Sequence, residues 1–192
     1  MATISAQHSG IQPAVKTGSS QRRLGRLGVG AMLALSPLAA FGGVNLAAEA
    51  LNVMPLFFSP VGLPGWVGAA IHLVLLLTTG IALGLVAHRG RRGLNAVRWG
   101  FVFTLAMIAF PFVAAPLDSL ALALMMTGVI LLGLATAIRV ARLSRLGGWL
   151  MLPSLVWIGF GAALGLAVAA AWSPPFALIN AQQPAPSSAP AA

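Results

Sequence analysis

The sequence contains no cysteine, no tyrosine and only two acidic residues in 192. Each scarcity removes a class of function. Without cysteine there are no disulfides, thiolate metal sites or cysteine nucleophiles. Glu49 and Asp118 are the only side-chain carboxylates, and neither lies in the middle of an apolar run. Paired-carboxylate catalysis and a proton relay through a membrane therefore lack their material. Charged residues of both signs make up 7% of the chain, against roughly 25% in a soluble domain. So little charge cannot keep a globular surface dissolved, and a bilayer is the solvent that suits this composition. No nucleophile–base pair, phosphate-binding loop or metal-ligand cluster is apparent either.

What the chain has is apolar length. Hydrophobic residues form 59% of it and the mean hydropathy is +0.95. Five apolar segments stand out, at 27–48, 63–87, 97–115, 119–138 and 149–172. Each is about 19–25 residues long, enough for a helix to cross a hydrocarbon core of roughly 30 Å. A helix satisfies its own backbone polar groups inside lipid, and the period-two alternation of a membrane barrel is absent. The expected fold is an all-α integral membrane protein, a bundle of five transmembrane helices over residues 24–172. Residues 1–23 read as a disordered cytoplasmic tail, and 173–192, rich in Pro, Ala and Ser, as a second disordered tail. The first segment also loosely resembles a cleavable signal peptide ending near Ala48-Glu49-Ala50. Its apolar run exceeds the roughly 7–15 residues of such peptides, which favours a retained helix.

The placement of charge gives an orientation. Lys16, Arg22, Arg23 and Arg26 precede the first segment. Arg89, Arg91, Arg92 and Arg98 lie between the second and third, and Arg139, Arg142 and Arg145 between the fourth and fifth. These three groups hold all eleven basic residues, and both acids fall at the opposite ends of the spans. Short cytoplasmic loops carry the Lys/Arg excess, so the N-terminus is expected in the cytoplasm and the C-terminus outside. The net charge of +9 and pI near 12.0 therefore express topology, not nucleic-acid binding. Helical spans point to a plasma membrane.

A few side chains have the chemistry to bind something. Trp66 and Trp172 fall at the outer boundary and Trp99 and Trp149 at the inner one, as an aromatic belt would. Trp157 lies two turns inside the fifth helix, where its indole faces either the core or a ligand. His72 is the one titratable side chain near mid-span, able to bond to a neighbouring helix, donate to a ligand or serve as an axial ligand of haem iron. No other metal site is expected. Gly80/Gly84 and Gly161/Gly165 form two GxxxG pairs, which serve packing within the bundle or a homodimer seam. Pro37, Pro111 and Pro153 each remove a backbone donor and favour kinks.

The order and spacing of several pieces resemble the TspO/MBR family, the tryptophan-rich sensory proteins of bacteria and the mitochondrial translocator protein. The fifth span, Pro153-Ser-Leu-Val-Trp157-Ile-Gly-Phe160-Gly-Ala-Ala-Leu164, is similar to the family's Pro-Tyr-Leu-x-Trp-x-x-Phe-x-x-x-Leu-Asn. Leu63-Pro64-Gly65-Trp66 resembles its Pro-Pro-x-Trp entry to the second helix, and Gly80 falls where the family has a glycine. Phe110-Pro111 sits where the third helix carries Trp-x-Pro, and 136–146 matches the fourth-to-fifth connection. The chain departs from the pattern where the family lines its ligand pocket. His72 replaces a tryptophan, Leu76 and Ser154 replace tyrosines, and Met107 and Gly165 replace asparagines.

The resemblance implies a non-enzymatic bacterial membrane receptor or carrier with a sensory or transport role. Its partner would be a flat hydrophobic molecule, a tetrapyrrole such as haem or protoporphyrin, with no cofactor required. The implied ligand site gathers Trp157, Phe160, Gly161, Phe110, Pro111, Pro153, His72 and Trp66. Two other readings remain. One is an interaction protein that keeps the scaffold without the ligand; the other is a porphyrin-modifying enzyme using His72 and Trp157.

Overall fold

The computed structural model describes residues 17–60, 62–114 and 117–172, with side chains from residue 28 onward except those of Ser119 and Trp172. Five helices follow in order: α1 (Thr17–Ala50), α2 (Gly65–Val86), α3 (Gly90–Val113), α4 (Ser119–Ala141) and α5 (Arg145–Trp172). All five contain a stretch long and apolar enough to cross a membrane. The protein is thus a multi-pass, all-α membrane protein, as its apolar segments require.

Three of the helices start earlier than the apolar runs. α1 takes in residues 17–23, assigned above to the N-terminal tail, while α3 begins at Gly90 and α5 at Arg145. Hydropathy registers only the hydrocarbon crossing. Backbone hydrogen bonding continues past it, because arginine stems can run along a helix while their heads stay in the headgroup layer. Lys16, His8 and the tails at 1–16 and 173–192 lie outside the described residues.

α2 is the hub. It contacts all four other helices, and 44% of its most apolar window is buried, against 11% for α1. Lipid tails are as apolar as leucine, so helices in a membrane associate through close packing more than through hydrophobicity. Glycine makes that closeness available here. A Cβ on Gly84 would stand 2.8 Å from the Gly30 carbonyl oxygen of α1, and one on Gly80 would collide with the Ala34 carbonyl. On α5, a Cβ on Gly161 would meet Met126 Cε at 2.6 Å, and one on Gly165 would meet Ala123 Cβ at 3.2 Å. Both GxxxG pairs therefore pack inside the chain, on α1·α2 and α4·α5.

The ends are closed by local chemistry. Asn52, with φ 56°, turns the chain after α1, a conformation that asparagine tolerates better than most residues. Gly90, with φ 64°, starts α3, where a Cβ would be strained. Asp118 caps α4, its Oδ1 accepting from the Ala121 N–H at 2.7 Å. Pro37, Pro111 and Pro153 lie within continuous helices. At the centre, the Thr79 and Ser154 hydroxyls pair at 3.2 Å, joining α2 to α5 where both are fully buried.

Candidate functional site

The loop 51–64 between α1 and α2 folds back over one end of the bundle. Its Leu56 N–H donates to the Pro111 carbonyl at 2.7 Å. Pro111 is in the last turn of α3, where carbonyls have no partner within the helix, so the loop satisfies an acceptor that would otherwise be orphaned. Gly68 on α2 lets the loop backbone settle, since a Cβ there would lie 2.6 Å from the Phe58 carbonyl oxygen. The result places two phenylalanines over the bundle end.

Beneath them is a small cavity of about 40 Å³. Phe57 and Phe58 roof it, His72 and Leu75 come from α2, Met107 and Phe110 from α3, Met126 from α4 and Trp157 from α5. Phe58 stands edge-on to Trp157, and it makes a second edge contact with Phe160 at 6.0 Å. His72 lies between Phe41 and Phe57, with ring centroids at 5.3 and 5.7 Å. Its Nε2 is buried and has no hydrogen-bond partner. Thr104 Oγ1 shares that condition, but Thr104 does not line the cavity.

Of the eight residues singled out from the sequence, Trp157, Phe110, Pro111 and His72 converge on this cavity. The other four serve it from outside or stand apart. Phe160 braces the roof through Phe58, and Gly161 leaves room for Met126. Pro153 lines a separate groove of about 540 Å³ between α2 and α5, open at the surface of the bundle. Trp66 is 72% exposed, away from the cavity. Leu75 and Trp157 line both cavity and groove, so those two side chains form the wall between them.

Sequence reasoning missed Leu56, Phe57, Phe58, Met126 and Ile158. The doublet Phe57-Phe58 in a proline-bounded loop was the available signal, since two aromatics outside a span have no lipid to face. Met126 carried none, because a methionine in an apolar helix looks like any core residue.

Among the described residues no arginine or lysine lines the cavity. All the described arginines from Arg89 onward belong to the other end of the bundle, at the α2–α3 and α4–α5 turns. No cluster of three potential metal ligands occurs among the described residues.

The TspO/MBR family model matches residues 30–178, most of the chain and all five spans. The chain belongs to the TspO/MBR family. Comparisons with curated proteins and with solved structures find no match.

As a TspO/MBR protein it carries its departures in and around the cavity. His72 and Met107, standing for a tryptophan and an asparagine, line it. Leu76, standing for a tyrosine, is fully buried. Ser154, in place of another tyrosine, turns its hydroxyl to Thr79. Gly165, in place of the second asparagine, packs against Ala123. Of these five positions only His72 and Met107 line the cavity, so the lining exchanges an indole for an imidazole and an amide for a thioether.

Proposed function

We propose that this TspO/MBR protein is a membrane receptor or carrier for a flat hydrophobic ligand of the tetrapyrrole class, with a sensory or regulatory role. The observation that carries the reading is the aromatic-walled cavity under loop 51–64, lined by His72, whose Nε2 is buried without a hydrogen-bond partner. A buried polar atom without a partner costs free energy, roughly 1–3 kcal/mol. A ligand that supplies the partner recovers it.

At about 40 Å³ the cavity has room for a few waters, each needing about 10–15 Å³. Ligand sites occupy about 300–1,000 Å³. A tetrapyrrole therefore enters by moving a wall, and Trp157 with Leu75 is the wall that separates the cavity from the surface groove. Turning Trp157 would merge the two spaces and lay its ring against the ligand. Haem would find one nitrogen ligand in His72 and no second histidine. Porphyrin carboxylates would find no cation in the cavity and would extend toward the water beyond the loop.

The protein acts here by binding, since His72 is the sole titratable side chain on the cavity wall among the described residues and acid–base catalysis needs a positioned partner. It belongs in a bacterial plasma membrane with the arginine-rich end in the cytoplasm, which places loop 51–64 outside.

The test is a titration of purified protein in nanodiscs with haem, protoporphyrin and protoporphyrin dimethyl ester, in wild type, Trp157→Leu and His72→Ala. Saturable binding, weakened about tenfold by Trp157→Leu and little changed by esterification, is expected. A haem absorbance shift in wild type that is lost in His72→Ala would identify His72 as the iron ligand. Absence of saturable binding to all three would leave the family scaffold in place as an interaction protein.

A further inference from the structure

The arginine-rich end contains a second site, remote from the ligand cavity. A surface pocket of about 450 Å³ lies between the start of α3 and the end of α4, lined by Arg92, Asn95, Ile138, Arg139, Arg142 and Leu143. Three guanidinium groups share it without a carboxylate. Asp118 caps the far end of α4, some 31 Å from Arg139 at about 1.5 Å per residue, and Glu49 ends α1 at that same far end.

Arg139 is fixed in place. Its guanidinium lies 4.1 Å from the Trp99 ring centroid, and its Nη1 donates to the Ala135 carbonyl at 2.7 Å. An arginine of this kind is drawn toward the membrane and held flat, with one of about five N–H donors used. The remaining edge suits the oxygens of a phosphate.

The surroundings identify the owner of that phosphate. Asn95, Trp99 and Val102 recur along one face of α3, and Arg142, Ile138, Leu134 and Leu131 along one face of α4. Toward mid-membrane these faces are apolar and open, with Val102 52% exposed and Leu131 61%. A charged pocket that continues into an open apolar surface matches a headgroup joined to acyl chains. A zwitterionic headgroup would bring an ammonium group that finds no acid here, so the lipid should carry net negative charge. Basic pockets between helices on the cytoplasmic side are known to take such headgroups.

We infer that the pocket formed by Arg92, Asn95, Arg139 and Arg142 binds the phosphate of one anionic phospholipid, in the leaflet at the arginine-rich end. The test uses the full chain, released from nanodiscs of mixed phosphatidylglycerol and phosphatidylcholine and weighed intact by native mass spectrometry. One retained phosphatidylglycerol per chain is expected, with no retained phosphatidylcholine and no displacement by millimolar inorganic phosphate. Arg139→Gln and Arg142→Gln should each weaken retention about fivefold, the effect of roughly 1 kcal/mol per arginine. Arg91→Gln removes the same charge outside the pocket and should leave retention unchanged. Thermal unfolding in pure phosphatidylcholine discs identifies any variant that fails to fold, and Asn95→Leu then takes its place. Equal retention of both lipids, equal loss in Arg91→Gln, or displacement by free phosphate would each overturn the assignment.

Discussion

The Phe58 ring of the α1–α2 loop stands edge-on to the Trp157 indole of α5, with centroids 5.4 Å apart and planes at 69°. An edge contact of this kind is worth about 0.5–1.5 kcal/mol. It ties the roof of the cavity to the wall that the proposed ligand must move. Phe58→Ala should therefore speed both entry and exit of protoporphyrin several-fold, to about fivefold for 1 kcal/mol. Trp157→Leu should chiefly weaken equilibrium binding. Stopped-flow quenching separates the two, and unchanged rates in Phe58→Ala would remove the loop from the binding path.

The α1·α2 contact depends on bare backbone. Gly84→Leu has to displace the Gly30 carbonyl and should cost about 1–3 kcal/mol, the usual range for overpacking. Gly43 also lies in α1, but a Cβ there meets nothing within 4 Å. Gly43→Ala should be neutral or stabilise by up to about 1 kcal/mol through helix propensity. Thermal unfolding in detergent compares them, and equal effects would mean that the Gly84–Gly30 approach is unimportant.

Thr79 and Ser154 form a hydrogen bond between helices in a dry interior, and Ser154 Oγ lies a further 3.4 Å from the Leu75 carbonyl. Bonds of this type in membrane proteins average about 0.6 kcal/mol, with a maximum near 1.7. A double-mutant cycle of Thr79→Val and Ser154→Ala should give a coupling in that range. Zero coupling would make the pair a matter of packing only.

Orientation is open to a direct test because the native chain has no cysteine. Met54, 86% exposed on the loop end, and His88, exposed at the α2–α3 turn, mark the two faces. In intact cells a membrane-impermeant maleimide should label Met54→Cys, and should reach His88→Cys only after permeabilisation. The reverse pattern would invert the topology.

The five spans were legible because about 20 apolar residues in succession have few alternatives to a transmembrane helix. The helix starts at Gly90 and Arg145 were not, because glycine and arginine at the headgroup level hide a helix from hydropathy. The two GxxxG pairs were visible as motifs, but a spacing does not name the helix it faces. Only the fold shows that Gly84 meets Gly30 and that Gly165 meets Ala123. At the site, residues with distinctive chemistry, Trp157 and His72, stood out in the sequence. Phe57 and Phe58 reach the cavity because the loop folds back onto Pro111 and Gly68, and no periodicity in the loop announces that return.

The central claim is that a flat ligand lies against Trp157 inside the bundle. The most direct measurement uses a chain with Trp66, Trp99, Trp149 and Trp172 replaced by phenylalanine, so that all indole emission comes from Trp157. Titrated with protoporphyrin in nanodiscs, this emission should be quenched saturably and nearly completely at one ligand per chain. Quenching that is weak, or that rises linearly with porphyrin dissolved in the lipid and never saturates, would contradict a ligand site at Trp157.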